Sequence, residues 1–303
     1  MGVSVMSKRT SVGSTQYSAV AIAGWRTACA VVAALTVVTL AGCSSSPQNS
    51  SGTGEPKIGT IEKISTPSQV SRPIYAYLPS AQQVVGLGQL QLQAANTCLR
   101  AKGIQGSYTV SGDSFQALAR ETRSSDVGFS SLWGFFGTDT AATYGYQRPP
   151  SQGGDLISIT PPTGLSDDVK SQCNQKYMDA LNGQPWNSFL YPSSLPNGGP
   201  PIPSTDSRWL AVAAKWSSCM KEQGFNYAGP LDAINDTNFA STASVTPAQI
   251  ATATADIQCK ISTNMVGIGA ALQAAYDQRY IDSHRSELAA FQDKIDSLLR
   301  GHG

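Results

Sequence analysis

Apolar positions recur at helical spacing in four stretches, and a capping residue opens each of them. From Ser80 to Lys102 the stripe is Val84, Val85, Leu87, Leu90, Leu92, Ala95 and Leu99, with Ser80 as the cap and Gly103 as the stop. Gly86 and Gly88 oppose this helix by about 1 kcal/mol each but leave its stripe intact. Ser166, followed by Asp167 and Asp168, opens a second helix that carries Val169, Cys173, Tyr177 and Leu181 and closes at Asn182-Gly183. Thr205-Asp206 opens a third, with Trp209, Val212, Ala213, Trp216 and Met220 on one face up to Gly224. Thr246-Pro247, a cap and then Pro at the first helical position, opens the last. Apolar positions then continue from Ile250 to Leu299 without a Pro, and sevenfold spacing of Ile281, Leu288 and Ile295 and of His284, Phe291 and Leu298 draws a narrow seam. The pattern predicts one continuous helix, about 80 Å long at 1.5 Å per residue, rather than two helices broken near Gly267 and Gly269.

The intervening stretches are less regular. Ile104 to Val110 reads as a short extended segment. Phe115 to Thr122 reads as a short helix, Val127 to Phe136 is apolar and aromatic, and Thr138 or Asp139 caps a short helix running into Tyr144. Six Pro and three Gly fall between Gly183 and Ser204, marking a linker that Trp186, Phe189 and Tyr191 hold down on the body.

The third helix ends Trp216-Ser-Ser-Cys219-Met220-Lys-Glu-Gln-Gly224-Phe225, and the first ends with the same plan, Cys98-Leu99-Arg-Ala-Lys-Gly103-Ile104. In both, a Cys sits at the end of a helix and a Gly five residues on closes it in the left-handed conformation. Each unit has a further Cys downstream, Cys173 and Cys259. Three pairings of Cys98, Cys173, Cys219 and Cys259 are open, and the repeat favours Cys98 with Cys173 and Cys219 with Cys259. Each such bridge would stabilise by about 4 kcal/mol in the chain-entropy model. The expected fold is mainly α: two related disulfide-stapled helical modules, 76–183 and 205–303, with loop-rich insertions, a 184–204 linker and a long C-terminal helix.

Composition changes the picture mainly at the N-terminus. No acid precedes Glu55, and an apolar run, Thr27 to Thr39, follows a basic lead and ends in Leu40-Ala41-Gly42-Cys43. That is the form of a secretory leader closed by a bacterial lipobox. The run is short for a membrane span of about 20 residues. The expectation is a signal peptide over 1–42, lipid on Cys43 as the mature first residue, and a flexible tether over 43–75, most clearly from Ser44 to Lys57, where Ser, Gly and Pro dominate. The protein would then sit on the extracytoplasmic face of the cell membrane, where disulfides persist. Of 21 bases, Lys8, Arg9 and Arg26 belong to the leader, leaving 18 against 20 acids, a balance without a nucleic-acid footprint.

Candidate chemistry is thin. Gly112-Asp113-Ser114-Phe115 resembles the nucleophile block of GDS-type esterases, and Asn235-Asp236 and Asp282-Ser283-His284 follow in the order of its partners. Ala233-Ile234 stands where that family has a Gly, the acid stands two rather than three before His284, and strands do not alternate with helices as its α/β domain requires. A hydrolase using Ser114 and His284 is therefore kept as the alternative to a non-enzymatic reading. No CxxC pair occurs and only His284 and His302 are present, so neither a metal site nor a cofactor is expected. Trp133, Phe135, Phe136, Tyr144 and Tyr146 form the densest aromatic cluster in a loop-rich region and are the candidate contact surface.

The lipobox, the motif Trp-x-x-Cys-Met-x-x-x-Gly-Phe-x-Tyr at 216–227, Asp256-Ile-Gln-Cys259-Lys260 and Tyr144-Gly-Tyr146 together resemble a group of uncharacterised actinobacterial cell-surface lipoproteins with duplicated Cys-Leu/Met-x-x-x-Gly units. The resemblance implies a location on the cell surface and carries no activity with it. Function is expected to be binding or scaffolding, with the C-terminal helix packing on an envelope partner such as a transporter or a wall-associated protein.

Overall fold

Side-chain caps start four helices where the polar-to-apolar pattern begins. In the computed structural model, which describes residues 54–111, 127–147, 158–240 and 244–301, helix α1 is Ala81–Ala101 and begins with a reciprocal cap. The Gln83 amide donates to Ser80 Oγ at 3.3 Å, and the Ser80 amide donates to Gln83 Oε1 at 2.8 Å. Helix α2, Asp167–Asp179, is capped by Ser166, which accepts from the Val169 amide at 3.3 Å. Helix α3, Ser207–Glu222, is capped by Asp206, and helix α4, Pro247–Ser262, by Thr246. Each cap satisfies one of the amides that a helix start leaves without a partner.

The repeated Cys-to-Gly motif closes α1 and α3 in the same way. The Ile104 amide donates to the Leu99 carbonyl at 3.0 Å and the Gly103 amide to Arg100 at 3.0 Å; at the second site Phe225 donates to Met220 at 2.9 Å and Gly224 to Lys221 at 3.0 Å. Both glycines are left-handed, with φ of 74° and 88°, and Leu99 with Ile104 and Met220 with Phe225 share apolar clusters. These are two copies of one helix stop, in which a glycine bears the left-handed backbone and an apolar contact seals the turn. The returning chain is tied to the helix both times, by Asn96 Oδ1 accepting from the Tyr108 amide at 2.8 Å and by Ser217 Oγ donating to the Tyr227 carbonyl at 2.6 Å.

Each stop is stapled to a second helix. Cys98 on α1 joins Cys173 on α2, and Cys219 on α3 joins Cys259 on α4, with Cα atoms 5.4 and 5.7 Å apart. The pairing expected from the repeat is the pairing present, and the protein is mainly helical. Two antiparallel strand pairs are very short: β1, Thr109–Ser111, with β4, Ser158–Thr160; and β2, Phe129–Ser130, with β3, Gly134–Phe135.

The C-terminal stretch is not the single helix its spacing predicts. After α4 come α5, Met265–Ser283, and α6, Arg285–Arg300. The first break is at Asn264, left-handed at φ 50°, a conformation that Asn tolerates better than most residues. Its side chain accepts from the Ile64 amide at 3.2 Å and donates to the Glu62 carbonyl at 3.0 Å. The second break is at His284. The physical reason is that the chain serves different cores in turn. Helix α4 and the start of α5 bury Ile257, Cys259, Met265, Val266 and Leu272 against Trp209, Trp216 and Met220 of α3, whereas α6 buries Ile295 against Val84 and Leu87 of α1 and Phe189 of the Pro-rich segment. One straight stripe cannot face both.

The tether expected over 43–75 is corrected from Gly54 onward. Residues 54–79 are a strap bound along α5: Ile64 and Ile74 are buried, and Arg72 pairs with Asp277 of α5. Gly267 admits the strap, since a β-carbon there would collide with the Glu62 carbonyl oxygen. Within the Pro-rich 184–204 segment, Trp186, Phe189, Leu190 and Leu195 are buried. Buried Gln91 of α1 holds that segment from both sides, donating to the Gln184 carbonyl at 2.8 Å and accepting from the Trp186 amide at 2.9 Å. No helix among the described residues is long and apolar enough to cross a membrane.

Candidate functional site

Cys43 and Ser114 lie outside the described residues. The other residue of the hydrolase reading, His284, sits at the α5–α6 break, stacked on Tyr280 with ring centroids 4.4 Å apart. Its Nδ1 is 3.0 Å from the Tyr280 carbonyl and 2.9 Å from Ser283 Oγ. A carbonyl only accepts, so the contact places the proton on Nδ1. Ser283 Oγ is in turn placed to donate to the Arg279 and Tyr280 carbonyls at 2.9 and 3.1 Å. Ser283 and His284 therefore complete a helix end; Ser114, the nucleophile of the hydrolase reading, is outside the described residues.

The aromatic contact surface is corrected. Trp133, Phe135, Phe136 and Tyr146 are core side chains, and only Tyr144 is half exposed. Trp133 Nε1 donates to the Val127 carbonyl at 2.9 Å, and Phe135 meets Tyr146 edge to face at 5.3 Å. Large apolar rings in loop-rich sequence can fill a core as readily as cover a surface, and here Gly269 of α5 makes the room, since a β-carbon there would crowd the Trp133 and Trp209 indoles.

Behind those rings lies a polar cluster. Asp256 and Lys260, one turn apart on α4, form an ion pair at 2.7 Å with both side chains fully buried. Lys260 Nζ also donates to the Phe135 carbonyl at 2.6 Å, Trp216 Nε1 donates to Asp256 Oδ1 at 2.9 Å, and the Tyr146 hydroxyl reaches Asp256 Oδ2 at 3.4 Å. Burial pushes the Asp256 carboxyl up and the Lys260 ammonium down, and each is opposed by the charge of the other. Burial, together with the Asp256 charge, pushes the Tyr146 phenol above its ordinary range. Closed in on every side, this cluster locks α3, α4 and the 127–146 insertion together. The i, i+4 spacing of Asp256 and Lys260 is the sequence signal that would have found it.

The C-terminal seam is also occupied within the chain: Ile281, Leu288 and Ile295 are buried, and Phe291 and Leu298 are packed on the first-module cluster. The apolar side of α6 is thus taken up within the chain, and Gln292, Asp293, Lys294 and Ser297 are on its exposed side. An open cleft of about 330 Å³ runs beside it, lined by Tyr77, Gln83, Phe291, Asp293 and Asp296 among others. Gln83 Nε2 donates to Asp296 Oδ1 across it at 2.8 Å.

The most developed polar site is where the strap begins. The Glu55 carboxylate accepts from the Ser207 amide at 2.6 Å and its hydroxyl at 2.8 Å, adding a second carboxylate to the positive end of α3. Arg208 grips the buried N-cap Asp206 through Nε at 2.9 Å and Nη2 at 2.6 Å, and donates from Nη1 to the Pro56 carbonyl at 2.9 Å. Tyr276 donates to Asp206 Oδ2 at 3.2 Å. Arg279 lies 4.6 Å over the Tyr276 ring and donates to the Gly54 carbonyl at 2.6 Å. The Arg208 guanidinium holds the Asp206 carboxyl below the usual carboxylate range, and burial beside Asp206 pushes the Tyr276 phenol up. Three side chains, Ser207 and Arg208 of α3 and Arg279 of α5, thus clamp the first described residues of the chain, with Asp206 and Tyr276 behind them. Sequence reading missed this clamp because its parts, Glu55, Asp206, Tyr276 and Arg279, are far apart along the chain.

Among the described residues no group of His, Cys, Asp and Glu is placed to hold a metal ion. Comparison with protein-family models, with curated proteins and with solved structures gave no match.

Proposed function

We propose that this chain is a lipid-anchored protein of the cell envelope that works by binding or scaffolding, as an accessory to a transporter or wall-associated complex. The observation that carries the reading is the cysteine ledger. Four of the six cysteines are used in two disulfides, and a fifth, Cys29, falls within the apolar leader. That leaves Cys43, behind Leu40-Ala41-Gly42, as the cysteine whose thiol the lipobox would modify. Two disulfides suit an oxidising compartment.

A lipid anchor with two or three acyl chains is strong, at about 0.8 kcal/mol per buried methylene, so the binding role would be played close to the bilayer. The membrane part of the reading is tested by Cys43→Ala, which should move the protein from the membrane fraction to the soluble one; retention in the membrane would contradict it. The scaffolding part is tested by cross-linking in cells, which should recover one specific envelope partner. Recovery of none would count against it.

A further inference from the structure

We infer that the cleft between the end of the strap and α6 binds a small aliphatic polyamine through Asp293 and Asp296. The inference goes beyond the envelope reading and does not depend on it, because the residues that line the cleft all belong to the folded body. The volume of about 330 Å³ falls at the lower end of the range of small-molecule sites, about 300–1,000 Å³. Three elements wall it: Tyr77 and Pro79 at the end of the strap, Gln83 in the first turn of α1, and Phe291, Asp293 and Asp296 on α6.

Charge decides what kind of ligand fits. Both charged residues that line the cleft are carboxylates, and among the described residues no Lys or Arg lines it. Neither carboxylate is in an ion pair with another described residue. Both stand in the second half of α6, where an acid gains nothing from the helix dipole. The position of Asp296 is set from outside its helix. Gln83 Oε1 accepts from the Ser80 amide at 2.8 Å while its Nε2 donates to Asp296 Oδ1 at 2.8 Å, which holds one carboxylate oxygen and leaves Oδ2 to a ligand. Asp293 is three residues earlier on the same face, so the two carboxylates rise from β-carbons about 5–6 Å apart. Carboxylates only accept hydrogen bonds, and a pair of them matches two ammonium groups joined by a methylene chain. Tyr77, Pro79 and Phe291 supply apolar surface for those methylenes. A bare metal ion is the poorer match, since among the described residues no third His, Cys, Asp or Glu stands with the two.

The test is isothermal titration of spermidine into the purified natural protein at physiological ionic strength, where loose attraction to surface charge is screened. A single saturable site is expected, and Asp293→Asn/Asp296→Asn should weaken it at least about tenfold. The matched change Asp168→Asn/Asp179→Asn removes the same charge from exposed positions of α2 and should weaken it less than about twofold. Asp293→Asn alone, at an exposed position, should weaken binding at least about threefold even if the double variant does not fold. Absence of saturable binding, or equal weakening by the two double variants, overturns the assignment. Calcium that binds as tightly as spermidine, and loses as much affinity in Asp293→Asn/Asp296→Asn, overturns the polyamine class.

Discussion

Arg72 grips Asp277 with two hydrogen bonds, Nε to Oδ2 at 3.1 Å and Nη2 to Oδ1 at 2.7 Å, and the aspartate side chain is 1 % exposed. The pair joins the strap to α5 in a site where neither charge has ready access to water. Removing one member takes this bidentate partner from the buried charge that remains, at about 3–5 kcal/mol. Arg72→Ala should therefore lower the unfolding free energy by about that amount in urea titration. A loss under 1 kcal/mol would mean that the strap is not held as described.

The Asp256–Lys260 pair differs, because it does not stand alone. Lys260→Met should cost about 3–5 kcal/mol, and the double change Asp256→Leu/Lys260→Met should fail to restore stability. It would leave the Trp216 indole N–H and the Phe135 carbonyl without their present partners, each a desolvation cost of about 1–3 kcal/mol. Thermal denaturation of the single and double variants decides this; a double variant as stable as the natural chain would show the network to be replaceable packing.

The two helix stops make a symmetrical prediction. A β-carbon at Gly103 or Gly224 meets open space, so Gly103→Ala and Gly224→Ala should each cost only the left-handed backbone strain, about 1–2 kcal/mol. Equal losses in chemical denaturation follow from equal geometry. A large effect at one position with none at the other would contradict the view that the two stops are the same device.

Much of this fold was legible because it is written in local rules. Ser80, Ser166, Asp206 and Thr246 each precede an apolar stripe and each caps a helix, and the Cys-to-Gly repeat gave both the helix stops and the disulfide pairing. What escaped depended on tertiary placement. The break at Asn264 exists because the strap needs a partner at Glu62 and Ile64, residues about two hundred positions away. The glycines at 86, 267 and 269 look like weak points in a helix. In the fold they admit Leu299, the Glu62 carbonyl and two tryptophans. The aromatics at 133–146 sit in irregular sequence, where periodicity says nothing about which way a ring points, and Gly269 draws them inward. The clamp was the hardest part to foresee, since its members come from the strap, α3 and α5, with partners 152 and 225 positions apart in the chain.

Acid should loosen that clamp before it unfolds the body. The Asp206 carboxyl is held below its ordinary value by Arg208, so its stabilising contribution is fully present above the unfolded carboxylate value of about 3.9. The contribution is lost as the pH falls through the lowered folded value. The hydrogen-exchange protection factors of the Ser207 and Arg208 amides, which bond Glu55 and Asp206, should fall in that window while the core of α3 stays protected. Protection factors at the two amides that stay constant from neutral pH down through the carboxylate range would contradict it. Asp206→Asn should show the loosened pattern at neutral pH.

The central claim, a folded body carried on a lipidated Cys43, is tested most directly by the mass of one peptide. Tryptic cleavage after Lys57 of membrane-extracted protein should release residues 43–57, beginning at Cys43 and heavier than the bare sequence by a diacylglyceryl group with or without a further acyl chain. An unmodified Cys43, or a peptide that runs through Cys43 from the leader, would contradict the account.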